Sequence, residues 1–594
     1  MRKFQFFCSL ILTVLIILPI LFCAWYLYSF SVNVPFWDQW VEIFFIRNFV
    51  EHHLSLSTLF MQVMDSRPVF PTLFALFTGT VMKYDVRFEV FIIFVLFISA
   101  FVSLVTMYAK DHGLYIRSLM FFIPVSWFFF NFYLISNFLM GIHVSQALVI
   151  LALLCAVMLL DRCKTFNVNF FLAVGASIIA TYSFIAGLLV WPACAILLLL
   201  QNGDKKFRLF LTWVAVSLVM FFVYFQGYHK PDITPPIGAS ISSPFITFAG
   251  FVTSVGSPVT HNPFFAPLAG ILLLVLAAGL LINNRKDLCF DTNGKWIAIL
   301  AFSLFVSGAI VAGRGGWGSD VGLAARYFLI TFPGIIGLYC ISLNYSGLSP
   351  KNRDSVQDKI PGDPIRPPRT SLLNVGFTIV ALLLLLTGIC SHVAPGLKEG
   401  NDQLEFYENA SYLLKTHEFQ SNDTLKILYP HIPFLLEWTA FLENNHLSVF
   451  TDEYPDLKGI IRLNEATQVS VERVNGIPVS TQSGPVTIDA SKNATFSITG
   501  LAVDSRNNSL ADAVFVCING ETDIPARYPL KRDGIQAGTG DTNVMGSGFA
   551  AYFSVDNFRN GMNNLTIKIL ASDKSGYYES APLRIIVVKE KREF

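Results

Sequence analysis

Residues 33–40, NVPFWDQW, place one acid among three large aromatic side chains directly after a long apolar run. Asp38 lies between Trp37 and Trp40, and Glu42 follows it by four residues, a spacing that puts both carboxylates on one face of a helix. Desolvation raises the pKa of a carboxyl group in apolar surroundings, which suits the group to act as a general base. The two tryptophans suit stacking on a sugar ring, although they also fit the aromatic belt of a membrane interface.

A second group of polar residues recurs close to the ends of apolar segments. It comprises Asp65, Arg67, Asn137, His143, Arg314, Arg326 and Tyr327. Arginine presents a planar fork of donors that matches phosphate oxygens, so Arg67, Arg314 and Arg326 suit a phosphate site. The same arginines also suit snorkelling towards lipid headgroups. The set as a whole predicts a site that handles a phosphorylated, ring-containing substrate at the membrane surface.

The composition indicates a multi-pass membrane protein. Hydrophobic residues make up 53% of the 594 residues, charged residues only 14%, and phenylalanine occurs 56 times. A soluble domain usually carries about 25% charged residues. The net charge of +1 and the lack of a basic tract argue against nucleic acid as a partner. The nine cysteines include no CxxC pair, which favours neither a disulfide framework nor a zinc site.

Apolar runs of about 20 residues predict about eleven membrane spans. They are 5–30, 88–108, 119–135, 145–160, 168–182, 185–201, 208–226, 263–283, 295–313, 326–345 and 371–394. The first run is too long for the core of a signal peptide, so we expect a retained anchor. The apolar stretch 69–82 suits an interfacial helix or part of a span.

Lysine and arginine in the loops predict the orientation. With the N-terminus in the cytoplasm, inner segments carry 17 such residues and outer loops carry 6. We therefore expect an odd number of spans in a bacterial inner membrane, with NVPFWDQW and the C-terminal part in the periplasm. The proline-rich stretch 346–370 then reads as a flexible inner loop.

The pattern divides the chain into three parts. Residues 1–395 form the predicted transmembrane domain. Residues 396–465 alternate helix-like and strand-like pieces, among them LKILYP and LSVF, which predicts a periplasmic α/β segment. Residues 466–594 contain seven short alternating apolar runs separated by Gly- and Asn-rich turns, which predicts a periplasmic β-sandwich.

Six short motifs, spread over residues 1–345, resemble those of one family. They are VPFWDQW, MDSRPVFPTLF (64–74), SNFLMGIHVSQAL (136–148), TYSFIAGLLVWP (181–192), YFQGY (224–228) and GRGGWGSDVGLAARY (313–327). In order and topology they resemble the bacterial polytopic GT-C type glycosyltransferases, most of all the serotype-converting O-antigen glucosyltransferases. Asp65 and Arg67 stand at the acid and arginine positions of the second motif. In the third motif Asn137 and Gly141 match, while His143 replaces a usual glutamine.

The resemblance implies transfer of a sugar, expected to be a hexose, from a polyprenyl-phosphate donor to a lipid-linked or O-antigen-type polysaccharide acceptor on the periplasmic face. It implies Asp38 as general base and Asp65 as a second catalytic acid. Donor phosphate would be bound by Arg67, Arg314 and Arg326. Substrate contacts would come from Trp37, Trp40, Glu42, Asn137, His143 and Tyr327. Gln39 and Trp40 follow Asp38 where an Asp-x-Asp pair would bind a divalent metal, so no metal ligand is assigned.

Two other readings share many of these features. A polysaccharide polymerase or ligase would show one large outer loop between late spans, whereas the loop 227–262 carries only Lys230 and Asp232 as lysine, arginine or acid. A transporter or flippase of lipid-linked sugars would show internal repeats and charges midway along its spans. Neither is apparent in this sequence. The glycosyltransferase interpretation therefore leads.

Overall fold

The structure is a computed structural model that describes residues 2–161, 163–202, 205–285, 290–349, 371–452, 455–464, 468–479, 484–492, 494–504, 506, 509–530 and 546–589. Most of the predicted inner loop 346–370 lies outside these ranges, as do the predicted inner basic residues Arg162 and Lys286. The chain divides into two compact units, Met1–Glu405 and Phe406–Phe594, and each is described by itself.

The described elements of the first unit are helices and 3-10 turns, apart from an isolated bridge between Val63 and Ser66. Its helices are α1 (Arg2–Phe30), α2 (Trp40–Val50), α3 (Leu56–Leu59), α4 (Val69–Val81), α5 (Val86–His112), α6 (Ile116–Phe129), α7 (Phe132–Ser136), α8 (Val144–Leu160), α9 (Val168–Thr181), α10 (Val190–Leu200), α11 (Lys206–Tyr224), α12 (Ile237–Ser242), α13 (Pro244–Gly256), α14 (Phe265–Asn283), α15 (Phe290–Arg314), α16 (Ala325–Thr331), α17 (Pro333–Ser346) and the start of α18 (Leu372–Lys415). Short 3-10 turns at Trp37–Gln39, Gly141–His143 and Ser319–Leu323 lie between these helices.

Within the described ranges, nine helical segments are long and apolar enough to cross a membrane. They are Lys3–Phe30, Val86–His112, Ile116–Leu139, Gly141–Leu160, Lys206–Tyr224, Phe265–Asn283, Thr292–Trp317, Ala325–Ser346 and Leu372–Lys415. The predicted spans 168–182 and 185–201 correspond to the shorter apolar helices Val168–Thr181 and Ile185–Leu200, and the stretch 69–82 forms the helix Val69–Val81. The multi-pass character predicted from composition is confirmed, while the side of the membrane on which each loop lies stays a prediction.

A buried ionic cluster connects the end of α5 to the start of α15. It lies at the opposite end of these two helices from Glu89 and Arg314. Lys295 of α15, with no exposed side-chain surface, pairs with Asp111 of α5 at 2.6 Å and with Asp161 at 3.7 Å. Trp296 donates its indole N–H to the other Asp111 oxygen at 2.8 Å. Buried charges need such partners because solvent no longer compensates them. The other end of α5 lies roughly 38 Å away along the helix axis, at a rise of 1.5 Å per residue.

Caps and glycines set the local geometry near the polar loops. The Asp85 carboxylate accepts the Arg87 backbone N–H and caps the start of α5, which places Glu89 in the first turn. Helices α13 and α14 pack backbone to backbone, because a Cβ at Gly256 would lie 1.9 Å from the Ala266 carbonyl oxygen. A Cβ at Gly322 would lie 2.7 Å from Ser254, so the 319–323 turn also packs tightly on α13.

The second unit continues α18 to Lys415 and adds α19 (Asn422–Leu425) and α20 (Ile432–Asn444). The predicted α/β mixture at 396–465 is corrected here. The described residues of that segment form helices and turns, apart from an isolated bridge between Arg462 and Tyr577. LKILYP begins at the end of α19, and LSVF contains a 3-10 turn at Ser448–Phe450. Apolar runs this short do not distinguish a strand from a buried helical turn.

Eleven described strands follow. They are β1 (Gln468–Val474), β2 (Ile477–Pro478), β3 (Val486–Asp489), β4 (Thr495–Val503), β5 (Ala513–Ile518), β6 (Thr522–Pro525), β7 (Arg527–Leu530), β8 (Gly548–Ser554), β9 (Gly561–Leu570), β10 (Tyr577–Glu579) and β11 (Leu583–Val588). One sheet has the order β2-β1-β4-β8-β7, and the other has β3-β11-β9-β5-β6 with β10 also on β9. Buried Phe496 and Phe553 from the first sheet and Ile567 and Ile585 from the second belong to one core, as in a sandwich.

Candidate functional site

Asp38 lies in a short 3-10 turn, Trp37–Gln39, directly before α2. Trp37 has a φ of +46° and its side chain is 48% exposed. Left-handed backbone at a bulky residue is strained and persists only where the surrounding structure holds it. Strain of this kind concentrates at functional sites, so this turn is the first candidate for one.

The Asp38 carboxyl group is accessible to solvent and yet surrounded by protein on several sides. This partial burial raises its pKa above the ordinary value, and the positive charges of Arg326 and Arg314 oppose that rise. The carboxyl group therefore lies within electrostatic reach of two arginines. Solvent access leaves room for a substrate hydroxyl to approach it.

Arg314, the last residue of α15, connects the loop that carries Asp65 to the start of α16 at Tyr327. Its guanidinium donates to the Asp65 carboxylate and to the Tyr327 hydroxyl. It also lies over the rings of Trp317 and Tyr327, at 5.5 Å from each centroid. A guanidinium held by a carboxylate, a hydroxyl and two aromatic faces is fixed in orientation before any ligand binds.

Arg326 is exposed and also lies over the Tyr327 ring, 5.2 Å from its centroid. Its charge acts on Asp38 and also on half-buried His143. The His143 Nδ1 shares a hydrogen bond of 2.9 Å with the Gln146 side-chain oxygen. The structure thus brings together the first loop, the 141–143 turn and the start of α16.

Asp65 lies in a tight turn closed by paired backbone hydrogen bonds between Val63 and Ser66. Met64, directly before Asp65, has a φ of +50°, so each of the two predicted catalytic acids follows a non-glycine residue in left-handed backbone. Tyr228, from the YFQGY motif, lies within electrostatic reach of both Asp65 and Arg314. The Asp65 carboxylate itself is engaged by Arg314.

Arg67 takes a different role from the predicted phosphate ligand. Its three guanidinium nitrogens donate to the backbone carbonyls of Tyr224, Phe60 and Gln226, at 2.9, 2.7 and 2.6 Å. Carbonyls at the ends of helices need such donors, because they have no partner within the helix. Arg67 therefore holds the end of α11 against the α3 region.

Four predicted substrate contacts lie inside the protein, and one of them is Tyr327, which is only 3% exposed. Trp40 is completely buried, so it cannot offer a face to a sugar. Glu42 is buried, and its carboxylate accepts a hydrogen bond from the Tyr84 hydroxyl at 2.9 Å. Asn137 is buried with its amide nitrogen 3.2 Å from the carbonyls of Tyr133 and Leu134. Helix α2 turns Trp40 and Glu42 inward because its apolar face packs against α4.

Sequence reasoning missed Gln39 and Glu89. From sequence alone, Asp85, Arg87 and Glu89 are interpreted as a simple charge cluster at the start of a membrane span. The structure separates them, since Asp85 and Arg87 form a surface pair at 2.7 Å whereas Glu89 is only 5% exposed. An acid in the first turn of a long apolar helix is itself the signal that was available. Among the described residues, no group of three or more His, Cys, Asp or Glu side chains is arranged to bind a metal.

Comparison with known proteins gives little further information. No family model matches the chain, and no solved structure matches it. An uncharacterized protein from Archaeoglobus fulgidus is 26% identical to it over 257 residues, which cover 39% of this chain. The match spans 62% of that relative, less than two thirds of its length. This relative carries no described activity, so the candidate site depends on its own geometry.

Proposed function

We propose that this protein is a membrane glycosyltransferase that moves a sugar from a polyprenyl-phosphate donor to a glycan acceptor, with Asp38 as general base. The observation that carries the proposal is the position of Asp38, accessible to solvent and within electrostatic reach of Arg314 and Arg326. An acid beside two cations suits a reaction in which a hydroxyl loses a proton while a phosphate leaves. The motif resemblance points to the same chemistry.

In the proposed reaction, the Asp38 carboxylate takes the proton of an acceptor hydroxyl as its oxygen forms a bond to the anomeric carbon of the donor. The bond between that carbon and the phosphate oxygen breaks, and polyprenyl phosphate leaves with the bonding electrons. Arg314 and Arg326 stabilise the charge that develops on the leaving phosphate. Because the Tyr327 ring lies against both guanidinium groups, they are oriented before the donor binds.

The remaining site residues receive revised roles. Exposed Trp37 presents a face for stacking on a sugar ring. Asp65 orients Arg314 through their ion pair and takes no direct part in the chemistry. Half-buried His143 lies near the same region, and buried Tyr327 holds the two arginines. Arg67, Trp40, Glu42 and Asn137 act in the fold around the site.

The proposal places Asp38 on the outer face of a bacterial inner membrane, with the N-terminus inside and the C-terminal unit in the periplasm. The distribution of lysine and arginine supports this orientation. A polyprenyl-linked sugar fits this location, since nucleotide sugars are scarce outside the cytoplasm. The acceptor is then a lipid-linked or O-antigen-type polysaccharide.

The first experiment compares surface glycans and lipid-linked oligosaccharides by mass in three strains. These are the parent, a deletion, and the deletion that carries Asp38→Asn at matched expression. We expect the deletion to lose one hexose-sized increment that Asp38→Asn does not restore. Asp320→Asn, at an exposed acid in the 319–323 turn, is the matched control and should restore it.

Three outcomes contradict the proposal. Full transfer by Asp38→Asn would exclude Asp38 as the base. Shortened polysaccharide chains in the deletion would favour a polymerase or ligase, and accumulation of unmodified lipid-linked units would favour a transporter or flippase.

A further inference from the structure

Gln39, the residue after Asp38, is held at two points. Its side chain is 1% exposed and its Nε2 donates to Glu89 Oε2 at 3.2 Å. Its backbone carbonyl accepts the Tyr84 hydroxyl at 3.2 Å. The turn that carries Asp38 is therefore attached to the start of α5 through the Gln39 side chain and to Tyr84 through its backbone.

The Glu89 carboxylate is itself held in one orientation. Its second oxygen accepts a hydrogen bond of 2.7 Å from the Thr78 hydroxyl, which is completely buried in α4. The Thr78 hydroxyl also lies 3.1 Å from the Ala75 carbonyl. Glu89 thus bridges Thr78 on one side and Gln39 on the other, and it connects α4 to the Asp38 turn.

The 141–143 turn lies directly against this bridge. A Cβ at Gly141 would lie 2.0 Å from Glu89 Oε2 and 2.6 Å from Gln39 Nε2, so only glycine leaves the hydrogen bond undisturbed. His143 is two residues further along the chain. The Gln39–Glu89 contact therefore sets how closely the turn of Asp38 approaches the turn of His143.

This arrangement also accounts for the strained backbone. Trp37 keeps a φ of +46° two residues before Gln39. Such a conformation is strained and persists only where neighbouring contacts exclude the relaxed alternative. In this turn the buried hydrogen bonds of Gln39 supply such contacts.

We propose that Glu89 is a positioning residue for Asp38, which it holds in place through the hydrogen bond to Gln39. The inference rests on the proposed function for the role of Asp38, but the attachment of the turn stands on geometry alone. Glu89 touches no reacting atom in this scheme. Its contribution is to keep the base aligned with the acceptor hydroxyl, where a displacement of about 1 Å can cost about 100-fold in rate.

The test uses the full chain reconstituted in lipid, with Glu89→Ala, Glu89→Gln and Gln39→Ala. The readouts are kcat, the donor KM, and hydrogen exchange of the peptide that covers residues 34–44. Glu89→Ala should lower kcat by about 10- to 100-fold. The donor KM should remain within about twofold of wild type, because Arg314 and Arg326 are not altered. Exchange in the peptide should increase, because the turn loses its anchor.

Glu89→Gln separates positioning from a chemical role. The amide oxygen can accept from Gln39 while its nitrogen donates to the Thr78 oxygen, since the Thr78 hydroxyl retains the Ala75 carbonyl as an acceptor. We expect near wild-type kcat and exchange in this variant. Glu51→Gln is the matched control, since it breaks an exposed pair with Arg47 at the other end of α2.

Coupling gives a further check. If Glu89 acts through Gln39, kcat of the double variant Glu89→Ala/Gln39→Ala should be no lower than kcat of the more impaired single variant. Gln39→Ala also keeps the test valid if Glu89→Ala fails to fold.

Three results overturn the inference: unchanged exchange in both alanine variants, Glu89→Gln as inactive as Glu89→Ala, or fully additive losses in the double variant. If wild-type protein transfers no sugar, the proposed function fails on its own. Exchange of residues 34–44 then still decides whether Glu89 holds the turn.

Discussion

Arg314 pairs with Asp65 although 249 positions separate them in the chain. The pair joins the loop before α4 to the end of α15, and Tyr327 at the start of α16 shares the same guanidinium. Both side chains of the pair are less than 20% exposed, so solvent competes weakly for their contact. Three distant segments thereby meet around one cation, close enough to Asp38 to act on its charge.

Replacing Arg314 by lysine should weaken donor binding. A lysine ammonium cannot engage Asp65 and Tyr327 as a planar fork or stack on Trp317 in the same way. We expect the donor KM to rise by about tenfold or more, since a charge-assisted hydrogen bond contributes about 1.5–3 kcal/mol. Steady-state kinetics with varied donor would show it. Arg87→Lys, at an exposed pair with Asp85, is the control, and an unchanged KM in Arg314→Lys would contradict the phosphate role.

The transfer rate should depend on the ionisation of Asp38. A general base works only when ionised, so kcat/KM should fall as pH drops through the raised pKa of Asp38. Arg326→Gln removes a charge that favours the ionised form, so the acid limb should move to higher pH. The measurement is the pH profile of kcat/KM. An acid limb that stays in place when Arg326 is neutralised would argue against Asp38 as the titrating group.

Arg67→Lys should reduce stability without selective loss of donor affinity. One ammonium group cannot reach the carbonyls of Phe60, Tyr224 and Gln226 together. One of these bonds is part-buried and two are exposed, so each lost bond should cost about 0.5–1.5 kcal/mol and the melting temperature in detergent should fall. Arg47→Lys, whose salt bridge to Glu51 is exposed, should change it little. A raised donor KM with an unchanged melting temperature would instead support the original prediction that Arg67 binds the donor phosphate.

Asp504 should stabilise the sandwich in a pH-dependent way. It lies just beneath the surface with no exposed area, and burial alone would raise its pKa. Hydrogen bonds from Ser572, the Arg506 backbone N–H and Tyr578 outweigh burial and lower the pKa to about 2. Because the folded pKa is below the unfolded one, the stabilisation is complete above the ordinary value near 4 and is lost as pH falls towards about 2.

Asp504→Asn should therefore destabilise the C-terminal unit by about 2–3 kcal/mol at pH 7 and by less at pH 3. Thermal unfolding of the full chain at both pH values measures this difference. Glu521→Gln, at an exposed pair with Arg559, should have little effect at either pH. An equal loss at both pH values would show that the carboxylate charge is not what stabilises the strands.

Several features followed directly from the sequence. Long apolar runs predicted the membrane helices because a bilayer core demands about 20 apolar residues whatever the surrounding fold. The alternation after residue 468 predicted paired strands, since one face of each strand must be buried. Asp38 of NVPFWDQW and Arg314 of GRGGW were recognisable as candidate site residues, because charged side chains are rare and energetically costly near apolar spans.

Tertiary structure decided which of these polar residues are open to solvent and which are engaged within the protein. Arg67 and Arg314 have the same predicted role from sequence. In the structure, however, Arg67 donates to three backbone carbonyls, whereas Arg314 contacts a carboxylate and aromatic rings. Asp38 and Glu42 are four residues apart, yet one is open to solvent and the other is buried. Composition and periodicity thus determined a helical membrane protein with a C-terminal sheet region. The partners of each charge depend on contacts across the whole chain, because hydrogen bonds and burial form between segments that sequence spacing does not relate.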